Sequence, residues 1–213
     1  MKNSNNQNGR SMIEMLGVLA IIGVLSVGGI AGYSKAMMKY RINKTIEQVS
    51  MIRANVQTLF SRQQDFVGLD STTDDGKSLI KKAKLVPDEM WDGDRIRSVF
   101  GSDVEIGNET SHYGKFFYIQ YKDIPQEACI ELATLDWASN IAELTSMAAY
   151  EETKKQGLST TDLFGACDRG VTFDGLTFVP ACDKSSLPIT LDDAVIGCSC
   201  SSDTCGIYWG FSK

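Results

Sequence analysis

The longest apolar stretch of the chain lies near its N-terminus and has one acidic residue at its start. No residue from Met15 to Tyr33 carries a charge, and Glu14 immediately precedes them. A stretch of that length can span a lipid bilayer as a helix. A carboxylate at the edge of such a segment is costly unless a partner compensates it, so the position of Glu14 indicates a function.

The apolar stretch continues into an amphipathic one without any turn signal. No proline or glycine occurs between Tyr33 and Gln64, and apolar residues recur there at spacings of three and four, as on one face of a helix. The pattern predicts a single helix of about fifty residues, on the order of 75 Å long at 1.5 Å per residue. Its second half is expected to pack on a sheet. The apolar positions on that face are Met38, Ile42, Ile46, Val49, Ile52, Val56 and Leu59.

Beyond the long helix, the pattern changes to short elements separated by polar turns, which indicates an α+β fold with an antiparallel sheet. Residues 70–76 are expected to form a loop, and residues 77–85 a short helix that ends before a proline. Residues 104–106 and 115–121 are rich in β-branched and aromatic side chains. They are predicted to form strands, with a turn at residues 107–109.

The C-terminal half contains signals for one more helix, a hairpin and a final strand. Pro125 suits the first turn of a helix that carries Cys129. The Asp174-Gly175 pair separates two strand-like segments and suits a type I′ hairpin turn. Residues 207–211 predict the last strand. Two glycines are interpreted as features of a strand edge rather than of a binding site: Gly206 and Gly210.

Composition excludes several classes of function. The chain has 213 residues and a net charge of −6, and no basic patch with interleaved aromatic residues suggests nucleic-acid binding. His112 is the only histidine, which weakens any Ser-His or Cys-His catalytic interpretation. The sequence shows no phosphate-binding loop, nucleophile elbow or paired catalytic carboxylates. We therefore expect neither an enzyme nor a cofactor.

The residues before the apolar stretch form a short polar leader. Residues 1–9 end in Gly9, and no small-residue cleavage site follows the apolar stretch, unlike in a secretory signal peptide. If the chain is cut after Gly9, Arg10 becomes the first residue and Glu14 the fifth. Residues 9–23 in this arrangement resemble the type IV pilin family, and within it the type IVb branch of toxin-coregulated and bundle-forming pilins. Arg10 departs from the Phe or Met that usually begins the mature chain in that family.

The resemblance implies four regions with different roles. Residues 1–9 would be a leader removed by prepilin peptidase. Residues 10–33 would anchor the precursor in the bacterial inner membrane and later serve in assembly. Residues 34–64 would form the amphipathic half of the same helix, and residues 65–213 a globular head, which lies in the periplasm before assembly and on an extracellular pilus afterwards.

The same resemblance implies how subunits would associate. Glu14 of an incoming subunit would lie near the N-terminus of its neighbour, where the free or methylated α-amine and the guanidinium of Arg10 are positive partners. Pairing relieves the cost of a carboxylate in low dielectric. The partners implied are other copies of the chain, prepilin peptidase, the pilus assembly machinery and, before assembly, membrane lipid.

All six cysteines follow residue 128, and an even number beyond a membrane anchor indicates disulfides in an oxidising compartment. Positions opposite each other in the predicted hairpin bring Cys167 within disulfide reach of Cys182. Cys200 and Cys205 face each other across a four-residue loop.

Lysines and arginines after the apolar stretch would by themselves put the head in the cytoplasm. The cysteines and the leader favour the periplasm.

A second, weaker resemblance lies in the head. The segment from Ile124 to Cys129 is similar to the start of a head helix in type IVb pilins, including plasmid-encoded thin-pilus subunits. In that family its cysteine pairs with one near the C-terminus, which implies a Cys129–Cys198 bridge. The competing scheme joins Cys129 to Cys200 and Cys198 to Cys205. The Cys-x-Cys spacing fits a structural zinc site poorly, so no metal is expected.

Three acidic pairs offer carboxylates to calcium, but only the Asp92-x-Asp94 spacing is typical of a ligand pair, and the twelve residues that begin at Asp92 do not end in glutamate. A solvated surface is the favoured interpretation. The pairs are Asp74-Asp75, Asp92 with Asp94, and Asp192-Asp193.

Taken together, the sequence predicts a structural subunit of an extracellular type IVb-like pilus. A pseudopilin of a type II secretion system would share the helix, but its head is usually smaller and has fewer cysteines. A signal-anchored periplasmic enzyme or binding protein is the alternative from another class. It would leave the spacing of Gly9 and Glu14 unexplained.

Overall fold

The computed structural model describes residues 12–109, 115–141, 144–150, 179–181, 188–200 and 204–213. The chain divides into two compact units, residues 1–40 and residues 41–213, which are called here the N-terminal and the C-terminal unit.

Helix α1 runs from Met12 to Phe60 without a break, so the predicted long helix is confirmed. Its C-terminal part buries one face, which includes Ile42, Val49 and Val56. The side-chain amide of Gln57 donates a hydrogen bond of 3.0 Å to the carbonyl oxygen of Ser212 at the end of the chain. The amphipathic half of α1 is therefore a core element of the C-terminal unit.

The remaining elements form an α+β fold, as predicted. Five strands make one antiparallel sheet in the order β3-β4-β7-β5-β6, and two short strands make a separate hairpin, β1-β2. The helices that follow α1 are α2 (Asp74–Lys82), α3 (Gln126–Ala133), α4 (Trp137–Asn140) and α5 (Leu191–Gly197). The strands are β1 (Trp91–Asp92), β2 (Arg95–Ile96), β3 (Val104–Glu109), β4 (Phe116–Pro125), β5 (Leu144–Tyr150), β6 (Val179–Ala181) and β7 (Thr204–Ser212).

One face of the sheet contributes aromatic side chains to the core. Phe117 stacks on Phe211 with ring centroids 4.9 Å apart, and it also contacts Phe66 at 4.8 Å. Tyr121 lies edge-on to Trp209, and its hydroxyl donates to the side-chain oxygen of Gln48 on α1 at 3.1 Å. Burial raises the pKa of Tyr121, so its phenol stays neutral and keeps this hydrogen bond.

The opposite face of the sheet carries tyrosines that lie over glycines. Tyr118 pairs with Gly107 across β3 and β4, and Tyr150 pairs with Gly206 across β5 and β7. A Cβ added at Gly107 would lie 2.6 Å from the hydroxyl oxygen of Tyr118. Tyr118 stacks in turn on Tyr208, with ring centroids 5.5 Å apart. Glycine is thus required here for the close approach of a ring to the backbone.

Replacing Gly107 with alanine should lower the free energy of unfolding by about 1–3 kcal/mol, because Tyr118 is buried and cannot move away without disturbing Tyr208. Chemical denaturation of the full chain in detergent measures the change. The same substitution in a Tyr118→Leu background should cost much less. An equal cost in both backgrounds would show that the ring is not the cause.

Three details of the sequence predictions are wrong. Residues 107–109 continue β3 rather than form a turn, because Gly107 accommodates the ring of Tyr118 inside the ladder. Helix α2 begins at Asp74, within the predicted loop, because the side chain of Thr73 accepts a hydrogen bond from the Gly76 amide and caps it. Gly206 and Gly210 lie on β7, which is a central strand between β4 and β5 and not an edge.

Candidate assembly segment and disulfide-linked region

The apolar part of α1 in the N-terminal unit is exposed. It contains a stretch of eighteen residues that is long and apolar enough to cross a membrane, and no residue of that stretch is buried. Val24, for example, exposes 75% of its surface and Val27 exposes 72%. A soluble monomer rarely leaves so large an apolar surface in water, so this segment needs lipid or other protein chains around it.

Glu14 is the acidic residue in the first turn of α1, and it is exposed. A carboxylate there interacts favourably with the positive end of the helix dipole, although that effect alone is modest. The other two residues predicted for cleavage and assembly, Gly9 and Arg10, lie outside the described residues. The pairing of Glu14 with Arg10 of another subunit therefore stays a prediction.

A disulfide joins Cys129 on α3 to Cys198 at the end of α5, with Cα atoms 5.9 Å apart and a sequence separation of 69. Both cysteines are fully buried. Helix α3 starts directly after Pro125, as the sequence predicts, and packs on β7. The bridge thus fixes α5 to the helix that covers the central strand.

A second disulfide joins Cys200 to Cys205, with Cα atoms 5.7 Å apart. It lies between the end of α5 and the start of β7, where Cys205 is buried and pairs with Ile124 of β4. The structure therefore has the pairing that the pilin resemblance implies, rather than the competing Cys129–Cys200 scheme. Cys167, Cys182 and the predicted Asp174-Gly175 hairpin lie outside the described residues.

The acidic pairs have structural surroundings that differ from a metal site. Asp74 and Asp75 occupy the first turn of α2, and Asp192 and Asp193 the first turn of α5. Asp92 and Asp94 flank the turn of the β1-β2 hairpin, where their partners are Arg97 at 3.6 Å and Lys81 at 3.9 Å respectively. Within the described parts of the chain, no group of three or more histidine, cysteine, aspartate or glutamate residues could hold a metal ion.

Two helices of this region were not predicted from sequence. Helix α4 begins after Asp136, whose carboxylate accepts hydrogen bonds from the hydroxyl and the amide of Ser139. Both bonds lower the pKa of Asp136, and the bond from the hydroxyl has the larger effect. Helix α5 begins after Thr190, whose side chain accepts from the Asp193 amide. A Thr-x-x-Asp sequence is a recognised helix-start signal and would have located α5.

A long helix with an exposed apolar N-terminal part, together with an antiparallel sheet and a disulfide-linked C-terminal region, defines the type IV pilin fold. This class consists of structural subunits and not of enzymes. Residues 35–191 match the family model described as Bundlin, and the chain belongs to that family. It is a structural pilus subunit of the type IVb-like kind.

Two curated relatives have the same described role. One is the major structural subunit of bundle-forming pilus from Escherichia coli O111:H-, and the other is its counterpart from Escherichia coli O127:H6 (strain E2348/69 / EPEC). Each is 23% identical over 168 residues, which cover 75% of this chain and 84% of the relative. The family match begins at residue 35, so it does not include residues 1–9 or Glu14.

Proposed function

We propose that this chain is made as a membrane-anchored precursor and polymerises, after cleavage of its leader, into an extracellular pilus. Residues 1–9 are the leader, residues 10–33 the anchor and assembly segment, residues 34–64 the amphipathic half of the helix, and residues 65–213 the head. The observation that carries this proposal is the exposed apolar helix with Glu14 at its start, since such a surface requires lipid or other helices around it.

The subunit performs no chemistry in this scheme. Prepilin peptidase cuts it, the assembly machinery moves it out of the inner membrane, and copies of the chain replace lipid around the apolar helix. The disulfides support a head that matures in the periplasm, because such bonds persist in oxidising compartments. The bundlin family match also favours a pilus subunit over a secretion pseudopilin.

The first test is the N-terminus of the mature protein. We expect N-terminal sequencing and intact mass of the membrane-extracted protein to give a chain that begins at Arg10, from a host with a working prepilin peptidase. A Gly9→Leu variant is the matched control and should keep residues 1–9. A mature chain that starts at Met1 in the unmodified protein would contradict the proposal.

The second test is the filament itself. Deletion of the gene should remove surface filaments seen by electron microscopy, and a plasmid copy of the unmodified chain should restore them. Antibody against the head should label those filaments along their length. Filaments that persist unchanged after the deletion would exclude a role as their main subunit.

A further inference from the structure

The first charges after the apolar stretch are positive, although the proposed precursor carries that part of the chain to the periplasm. Lys35 and Lys39 are the first of them. The next acidic residue after Glu14 is Glu47. Positive charges next to a membrane span favour the cytoplasmic side. Two lysines that oppose the orientation of the chain in this way indicate a partner for them on the periplasmic side.

The length of the apolar stretch places these lysines at the level of the lipid head groups. Residues 15–33 span about 28 Å as a helix at 1.5 Å per residue, which is close to the thickness of the hydrocarbon layer. Lys35 and Lys39 follow within about 9 Å along the helix axis. Because helical side chains tilt towards the N-terminus, both ammonium groups are directed back towards the membrane.

Two tyrosines mark the same level of the helix. Tyr33 exposes 66% of its surface and Tyr40 58%. Tyrosine is enriched where a membrane span meets water, because its ring is apolar and its hydroxyl is polar. The tyrosines are seven residues apart, so they lie on one side of α1. Lys35 and Lys39, which are also exposed and are four residues apart, share the other side. The helix therefore presents a cationic face and an aromatic face at one depth.

We propose that Lys35 and Lys39 bind the head group of an anionic phospholipid, such as phosphatidylglycerol, in the periplasmic leaflet of the inner membrane. The inference rests on the proposed function and names the lipid partner of its anchor segment. Lysine stems can lie along the acyl chains while their ammonium groups contact phosphate oxygens. An anionic head group has a net negative charge that a zwitterionic one lacks, so two neighbouring ammonium groups select it. The bound lipid holds the precursor in the membrane until copies of the chain replace lipid around the helix.

The lipid selectivity of the full-length precursor in phosphatidylcholine vesicles tests the proposal. Electron spin resonance with spin-labelled phosphatidylglycerol and spin-labelled phosphatidylcholine measures how strongly each lipid associates with the protein. We expect phosphatidylglycerol to associate more strongly, by about fivefold for each lysine that contacts its head group. At about 1 M salt the Debye length is only about 3 Å, so most of this preference should be lost. A preference that salt does not change would overturn the proposal.

A variant with Lys35→Gln and Lys39→Gln should show a severalfold smaller preference for phosphatidylglycerol. Glutamine forms helices about as readily as lysine, so the variant should keep α1 intact. Lys82→Gln with Lys84→Gln, at two exposed lysines of the C-terminal unit, is the matched control and should keep the full preference. Equal preferences of the Lys35 and Lys39 variant and of the unmodified chain would overturn the proposal. A basic face that serves only contacts between subunits would give that result.

The orientation of the variant in cells separates lipid binding from topology. The head of the Lys35 and Lys39 variant should still be accessible to protease added to spheroplasts, because removal of positive charge from that side favours its transfer. A head that remains in the cytoplasm would assign the lysines to orientation instead and overturn the proposal. An uncut leader and absence of filaments from the unmodified chain would contradict the proposed function, so the two failures are distinguishable.

Discussion

Filaments should disappear when Glu14 is replaced by glutamine, while the precursor is still inserted and its leader is still cut. Glutamine keeps the size and hydrogen-bonding capacity of the side chain but removes its charge. In the low dielectric of a helix bundle, a carboxylate next to an α-amine and a guanidinium favours the docked register over unregistered helices. Electron microscopy and a shearing assay would count the filaments.

Glu47→Gln is the matched control for this experiment. Glu47 is also an exposed acidic residue of α1, but it lies beyond the apolar segment and its partner is Lys44 at 3.1 Å. Surface pairs of this kind contribute little, so filaments should be normal. Ordinary numbers of pili on cells that carry only Glu14→Gln would show that assembly does not require the charge of Glu14.

Loss of the long disulfide should have the second large effect. Replacing both Cys129 and Cys198 by serine opens a loop with a sequence separation of 69, for which the chain-entropy model gives a loss of about 4 kcal/mol in the free energy of unfolding. A typical domain has only about 5–15 kcal/mol of stability, so little folded head should remain at about 37 °C. Protease resistance of the full chain in membranes would measure the fraction of heads that remain folded.

The short disulfide provides the comparison. Replacing Cys200 and Cys205 by serine opens a loop with a sequence separation of only 5, for which the same model gives about 2 kcal/mol. The head should then be weakened but still folded. Equal protease sensitivity of the two double variants would mean that loop length does not determine the stabilisation.

The sequence was informative where one physical requirement dominated a long segment. Helix α1 could be predicted because helical spacing persists from Met38 to Leu59 without proline or glycine. The last strand could be predicted because β-branched and aromatic residues dominate residues 207–211. The sequence also placed Cys129 on a helix after Pro125, since proline suits a first helical turn.

Other elements depend on contacts that are distant in sequence. Residues 144–150 contain two alanines, a methionine and a leucine, which favour a helix by local propensity. They form β5 because pairing with β7 on one side and β6 on the other outweighs that preference. Gly107 was also misleading, because a glycine between two strand-like segments suggests a turn. Its actual role is to make room for the ring of Tyr118, which lies on another strand.

The place of β7 in the sheet has a consequence for the timing of biogenesis. Strand β7 leaves the ribosome after β4 and β5 but lies between them in the sheet, so neither neighbour has its inner partner until β7 has been made. Pairings so distant in sequence form slowly. Truncated products should therefore remain unfolded and open to quality-control proteases. Only chains that include β7 would then enter the pool of subunits from which a pilus grows.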